Sequence, residues 1–273
     1  MNDFRYCFPS SYCIDTSEPI EKDMLRLTSI IEQAQSALSQ LITRSAETTA
    51  WTPTHYQRYL SMQYHLTRGV QRYFFMAAAH PSLARRRALR QFLVDFANEE
   101  ELHYLVARND LDKLSLGILP EPFDVTLWHC YFGKLVLDCP FLRLGAACVL
   151  ESISAGVARA AIQNALAAPF LTRANTKFLV LHQHETQPHG AQIIAALTAA
   201  VLEDSHVNDV LTGARQGMVM YLRMAEWAIF PDSLSTLADS SLDCNEGAGM
   251  APLPIEDVGH TEAALPGSDG PIK

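Results

Sequence analysis

The sequence predicts an all-α protein, a bundle of about seven helices. Three observations lead there. Apolar residues recur at helical spacing through seven long segments. No stretch shows the period-two alternation of a strand, an Asn-Gly hairpin signal or a solenoid repeat. Proline and glycine fall between the periodic segments, where they punctuate helices.

The first helix opens at Ser17-Glu18-Pro19, and its stripe is Leu27, Ile30, Ile31, Ala34, Leu38 and Leu41. The second starts at Thr52-Pro53, with the hydroxyl as N-cap and proline in the first turn. It is amphipathic and aromatic as far as His80-Pro81. The third is expected over about 82–113, where Leu89, Phe92, Leu93 and Phe96 lead into Glu100, His103 and Ala107. A loop with Gly117, Pro120 and Pro122 precedes the fourth, about 124–138. The fifth, about 141–167, is rich in small residues and almost wholly apolar; the sixth covers about 172–202 and the seventh about 207–230. The flanks differ in character. Residues 1–17 read as an irregular arm, 18–232 as the helical catalytic domain, and 233–273, rich in Gly, Ser, Asp and Pro, as a disordered tail.

The chain of 273 residues is long enough to bury a sizeable core, and its net charge of −9 disfavours binding to nucleic acid through phosphates. Arg85-Arg86-Arg87 with Arg90 reads as a solvated helix face. No apolar run approaches the ~20 residues of a membrane span, and Met1–Arg5 lacks the pattern of a secretion signal. The six cysteines are scattered without zinc-like spacing. They read as free thiols in a reducing cytoplasm.

Against this background one set of residues stands out. A carboxylate on an apolar helix face must be paired, neutralised or bound to metal. The third helix places Glu100 and His103 on its core stripe, with Glu99 as a substitute acid. The fifth offers Glu151, the only acid between Leu144 and Ala158. The sixth offers His182, Glu185 and His189 at i, i+3 and i+7, with His184 pointing away. Acids and imidazoles projecting inward from facing helices are how bundles hold iron or manganese. Imidazole with carboxylate suits iron better than zinc–thiolate chemistry.

The chain here resembles the heme-oxygenase-like diiron oxidases and oxygenases, seven-helix proteins sharing the fold of thiaminase-type and pyrroloquinoline quinone synthase enzymes. The resemblance covers roughly residues 20–230. Some members carry Glu-x-x-His on one core helix, a lone Glu on a later one and His-x-x-x-Asp-x-x-His on the next. Glu100 and His103 match the first element, Glu151 the second, and His182 and His189 the third. Thr186 stands where the family has its aspartate, with Glu185 beside it and Pro188 able to distort the helix.

The resemblance implies a compact heme-oxygenase-like bundle holding Fe(II) at two positions, the second weakly. The metal ligands would be Glu100, His103, Glu151, His182, Glu185 and His189. It implies O2 as co-substrate, an external electron donor and a small amino-acid-like or amine substrate in specialised metabolism. N-oxygenation, desaturation and oxidative carbon–carbon cleavage all fit. Tyr64, His65 and Tyr104 would line the entry, and Arg68 or Arg143 could grip a substrate carboxylate by a forked contact. An arm and apolar helix faces are compatible with a homodimer. The rival readings are a metal-free thiaminase-like hydrolase or cofactorless oxidase, which predicts a catalytic cysteine or a polar pocket without bound iron, and a non-catalytic helical binding protein; Cys148, one turn before Glu151, could be misread as such a nucleophile. A haem-binding version needs a histidine on the first helix, which has none.

Overall fold

The computed structural model describes residues 17–48, 51–181 and 188–231. The expected arm, apart from Ser17, and the expected tail lie outside them. Among the described residues there is no strand, and the bundle is built from eleven α-helices with one short 3-10 turn at Pro81–Leu83. These are α1 (Ser17–Thr48), α2 (Pro53–Thr67), α3 (Gln71–Ala79), α4 (Arg87–Glu100), α5 (His103–Asp112), α6 (Phe123–Asp138), α7 (Pro140–Leu150), α8 (Ala158–Ala165), α9 (Lys177–Leu181), α10 (His189–Ala199) and α11 (Asp204–Ile229).

The seven expected segments are present, but four of them are interrupted. The second becomes α2 and α3, parted at Gly69, whose φ of 77° ends the helix. The third becomes α4 and α5, parted at Glu101-Leu102. The fifth becomes α7 and α8, parted by a run of turns that contains Gly156 at φ 54°. The sixth becomes α9 and α10, which begin and end on either side of residues outside the description. Thr52 does cap α2: its hydroxyl oxygen accepts the His55 N–H at 3.2 Å, with Pro53 in the first turn.

Helix α7 is the centre of the core. Nine of its eleven residues are buried, as expected of a helix apolar all round. It packs along α11, and small residues set the close approach. A Cβ at Gly145 would collide with the Val210 carbonyl, one at Gly213 with the Leu142 carbonyl, and one at Gly217 with Ala146. Around this pair, α1 packs on α11 and α8, α2 on α5 and α11, α3 on α4 and α6, and α10 on α7 and α4. Asp110 fixes α9 to α5: it is fully buried, and its Oδ2 accepts the Phe178 N–H at 2.7 Å in the first turn of α9. No helix among the described residues is long and apolar enough to cross a membrane.

Candidate metal centre

The interruptions in three of the segments carry the candidate residues. Glu100 is the last residue of α4 and His103 the first of α5. Glu151 is the C-cap of α7, and His189 is the first residue of α10, behind Pro188. Carboxylates therefore sit at helix C-termini and imidazoles at N-termini. This is the reverse of what the helix macrodipole favours, so the groups are not there to cap helices.

Glu100 is the hub. Its side chain is buried at 3% exposure, yet both carboxylate oxygens are engaged. Oε2 accepts from His103 Nδ1 at 2.7 Å, the i, i+3 contact read from the sequence. Oε1 lies 2.7 Å from His189 Nδ1, close but not aligned as a hydrogen bond. One donor atom each from Glu100, His103 and His189 fall within 4.8 Å of one another. Glu151 Oε2 is 3.8 Å from His189 Nδ1, and the exposed Glu99 reaches His189 Nε2 at 3.7 Å. The two imidazoles stack nearly parallel with centroids 5.7 Å apart, and Phe96 packs edge-on to His189 at 4.9 Å.

The electrostatics follow from this packing. Burial alone would raise the Glu100 pKa, but the His103 hydrogen bond, the close His189 contact and the charges of both imidazoles outweigh it and hold the carboxyl well below its ordinary range. Burial alone would lower both imidazoles. Glu100 and Glu151 reverse that for His189, raising it to about 10, and Glu100 foremost raises His103. Without metal the cluster is a buried ionic triad. One carboxylate and two imidazoles are also the donor set of non-haem Fe(II) sites with open positions, and Glu151 stands ready as a further acid. The residues present fit iron.

The other expected residues scatter. His182 and Glu185, with Thr186 and His184, lie outside the described residues. Tyr64 and Tyr104 do meet, edge to face at 5.5 Å, and His65 stands against Tyr64 at 5.1 Å. His65 is itself tied down, its Nε2 2.8 Å from the Leu119 carbonyl oxygen. Arg68 does not join them: α2 ends at Thr67, the chain turns at Gly69, and Arg68 is left exposed at the C-cap. Arg143 is fully buried among aromatic rings.

Several supporting residues were not expected. Gly190 follows His189 against the Glu151-Ser152 turn, where a Cβ would collide with Ser152 Oγ. The same turn is held from α1, as Gln35 Nε2 donates to the Ser152 carbonyl at 2.9 Å. Gly190 two residues after Pro188 is the sequence signal for a tight helix entry. A buried polar cluster also joins α2 to α11: Gln63 Nε2 donates to the Tyr59 and Tyr221 hydroxyls at 3.0 and 2.7 Å, and the two hydroxyls are 3.1 Å apart. Burial foremost raises the Tyr221 phenol, and the neighbouring Tyr59 adds to it. Only Gln63 at i+4 from Tyr59, inside an aromatic stripe, hints at this cluster in the sequence.

No family model matches the chain, and no curated protein matches it. Among solved structures it is similar to a domain of unknown function with a heme oxygenase-like fold from Shewanella denitrificans OS217. The two share 16% identity, and the match covers 85% of this chain and 96% of the other at a TM-score of 0.61. At that identity the likeness speaks for the fold, and the fold of this chain is the heme-oxygenase-like bundle.

Proposed function

We propose that this bundle is a non-haem iron, O2-dependent oxidase or oxygenase. The observation that carries the reading is the convergence of Glu100, His103 and His189 at three helix ends, with Glu151 beside them. In this reading those three residues hold the first ferrous ion. Glu151, with His182 and Glu185, serves a second and weaker position. Iron bound there would supply the redox chemistry with O2 that these side chains lack.

The chain's own groups do the rest. Glu100 stays ionised and orients both imidazoles through its two oxygens. Phe96 and the buried rings beyond it keep water from the His189 side. His103 and His189 give up their protons as they become ligands. The substrate is a small amino-acid-like or amine molecule of specialised metabolism, oxidised by N-oxygenation, desaturation or carbon–carbon cleavage, with electrons from an external donor. The site of action is the cytoplasm, where ferrous iron persists. The rival reading with a cysteine nucleophile fits poorly: Cys148 is fully buried, and burial pushes its thiol up to about 12.

The test is anaerobic titration of the metal-free protein with ferrous iron, followed by exposure to O2. The expected result is one tightly held ion, a weaker second one, and a transient visible band. Absence of iron uptake at micromolar concentrations would sink the proposal and leave a non-catalytic binding protein standing.

A further inference from the structure

We propose, on the reading of the Glu100 cluster as an iron centre, that the break between α4 and α5 is its loading port. Glu99 is the outer post of that port, a carboxylate that takes a hydrated divalent cation from solvent and passes it inward to Glu100 and His189.

Three consecutive acids, Glu99-Glu100-Glu101, close α4, and they face different ways. Glu100 is turned inward at 3% exposure, whereas the Glu99 side chain is 58% exposed and Glu101 is exposed as well. Glu99 nonetheless reaches the centre, with Oε2 3.7 Å from His189 Nε2. The opposite ring nitrogen, Nδ1, lies 2.7 Å from Glu100 Oε1 and 3.8 Å from Glu151 Oε2. One imidazole thus spans from an exposed acid to two inner ones. The centre is shallow at this edge: the His103 side chain keeps 17% exposure, and Leu102 beside it is exposed.

An acidic run at a helix end is ordinarily a solvated face. Here the run leads to a buried acceptor with capacity to spare, since Glu100 Oε1 has no aligned hydrogen bond. Among the described residues neither Glu99 nor Glu101 forms an ion pair with a lysine or arginine, so their charge is not neutralised from the protein side. The three carboxylates also stand at the negative end of the α4 macrodipole. There they repel the helix end and together attract positive charge. The inner ligands are too buried to meet an ion that still carries its water shell, because bringing an unpaired charge inward is costly. An exposed carboxylate has no such difficulty. It exchanges for one water at the surface and holds the ion against the His189 ring, one ligand exchange from Glu100.

The experiment loads Co(II) into the metal-free full chain by stopped flow and then strips it with excess EDTA, following the visible absorption of Co(II) in both directions. Salt at about 0.5 M shortens the Debye length to about 4 Å and screens the general attraction of the acidic surface. Glu99→Gln should then slow loading and release alike, at least about tenfold, because a post on the path serves both directions. Equilibrium affinity should change by less than about fivefold, since an exposed acid adds little once the ion is inside. Glu101→Gln removes the same charge two residues along and should alter neither rate by more than about threefold. Glu99→Asp keeps a carboxylate and should load faster than Glu99→Gln. Loading of Glu99→Gln at the wild-type rate overturns the proposal. So does a tenfold loss of affinity at unchanged loading rate, which makes Glu99 a ligand of the bound ion, and so does equal slowing by Glu101→Gln, which reduces the effect to surface charge. If the wild type takes up no Co(II), the iron reading falls and the port with it; if Co(II) binds and Glu99→Gln changes nothing, the port alone falls.

Discussion

Metal binding at the Glu100 cluster should compete with protons, and the geometry fixes the sign. A ligating imidazole must be neutral, whereas the carboxylates hold His189 protonated up to about pH 10 and raise His103 as well. Each proton displaced adds one logarithmic unit of affinity per pH unit. Between pH 6 and pH 8 the apparent affinity for Co(II), a redox-quiet probe, should therefore rise by about one to two logarithmic units per pH unit. Stability of the metal-free protein runs the other way. The raised His189 contributes stability that is fully present below its ordinary value of 6.5 and is lost as pH climbs through about 10. The depressed Glu100 contributes stability that is present above its ordinary 4.5 and is lost as pH falls toward its folded value. The triad is most stabilising between those two ordinary values, from 4.5 to 6.5. The assay is calorimetric titration at several pH values, in buffers of different ionisation enthalpy that count released protons, alongside urea unfolding of the metal-free protein. His189→Gln should flatten both trends. Affinity independent of pH with no proton release would refute the reasoning.

Other perturbations separate the site from its scaffold. Gly190→Ala sets a Cβ against Ser152 Oγ and pushes His189 away from Glu151, so Co(II) affinity should fall at least about tenfold while the melting temperature moves little. Glu151→Gln removes the carboxylate that lies 3.8 Å from His189 Nδ1, and equilibrium dialysis should show a loss of about 10- to 100-fold in metal affinity. Gly213→Ala drives a methyl into the Leu142 carbonyl at the α7–α11 contact and should cost about 1–3 kcal/mol in urea unfolding. Asp110→Ala strands the Phe178 N–H at the start of α9 and should cost about 1–3 kcal/mol by the same measurement.

Much of this protein is local in origin and so was legible along the chain. The stripe from Leu27 to Leu41 specifies α1 wherever it packs, because helical period and apolar spacing are properties of a single segment. The Thr52-Pro53 start of α2 is likewise a matter of adjacent atoms. Glu100 and His103 share a face by spacing alone, and their contact is the one that spacing implies. The helix ends at the candidate centre were not legible. The apolar stripes run on through Glu101-Leu102 and Glu151, so period alone reads each pair of helices as one. At Glu151 packing accompanies the stop: Gln35 from α1 holds the turn after it, and Gly190 lies against Ser152. The sequence by itself determined an all-α bundle and picked out Glu100, His103, Glu151 and His189 as acids and imidazoles on its helices. Only the tertiary structure decided that they meet at helix ends around Glu100, and that Arg143 is walled in by rings from α3 and α6. Burial, convergence and the loss of water belong to no single segment.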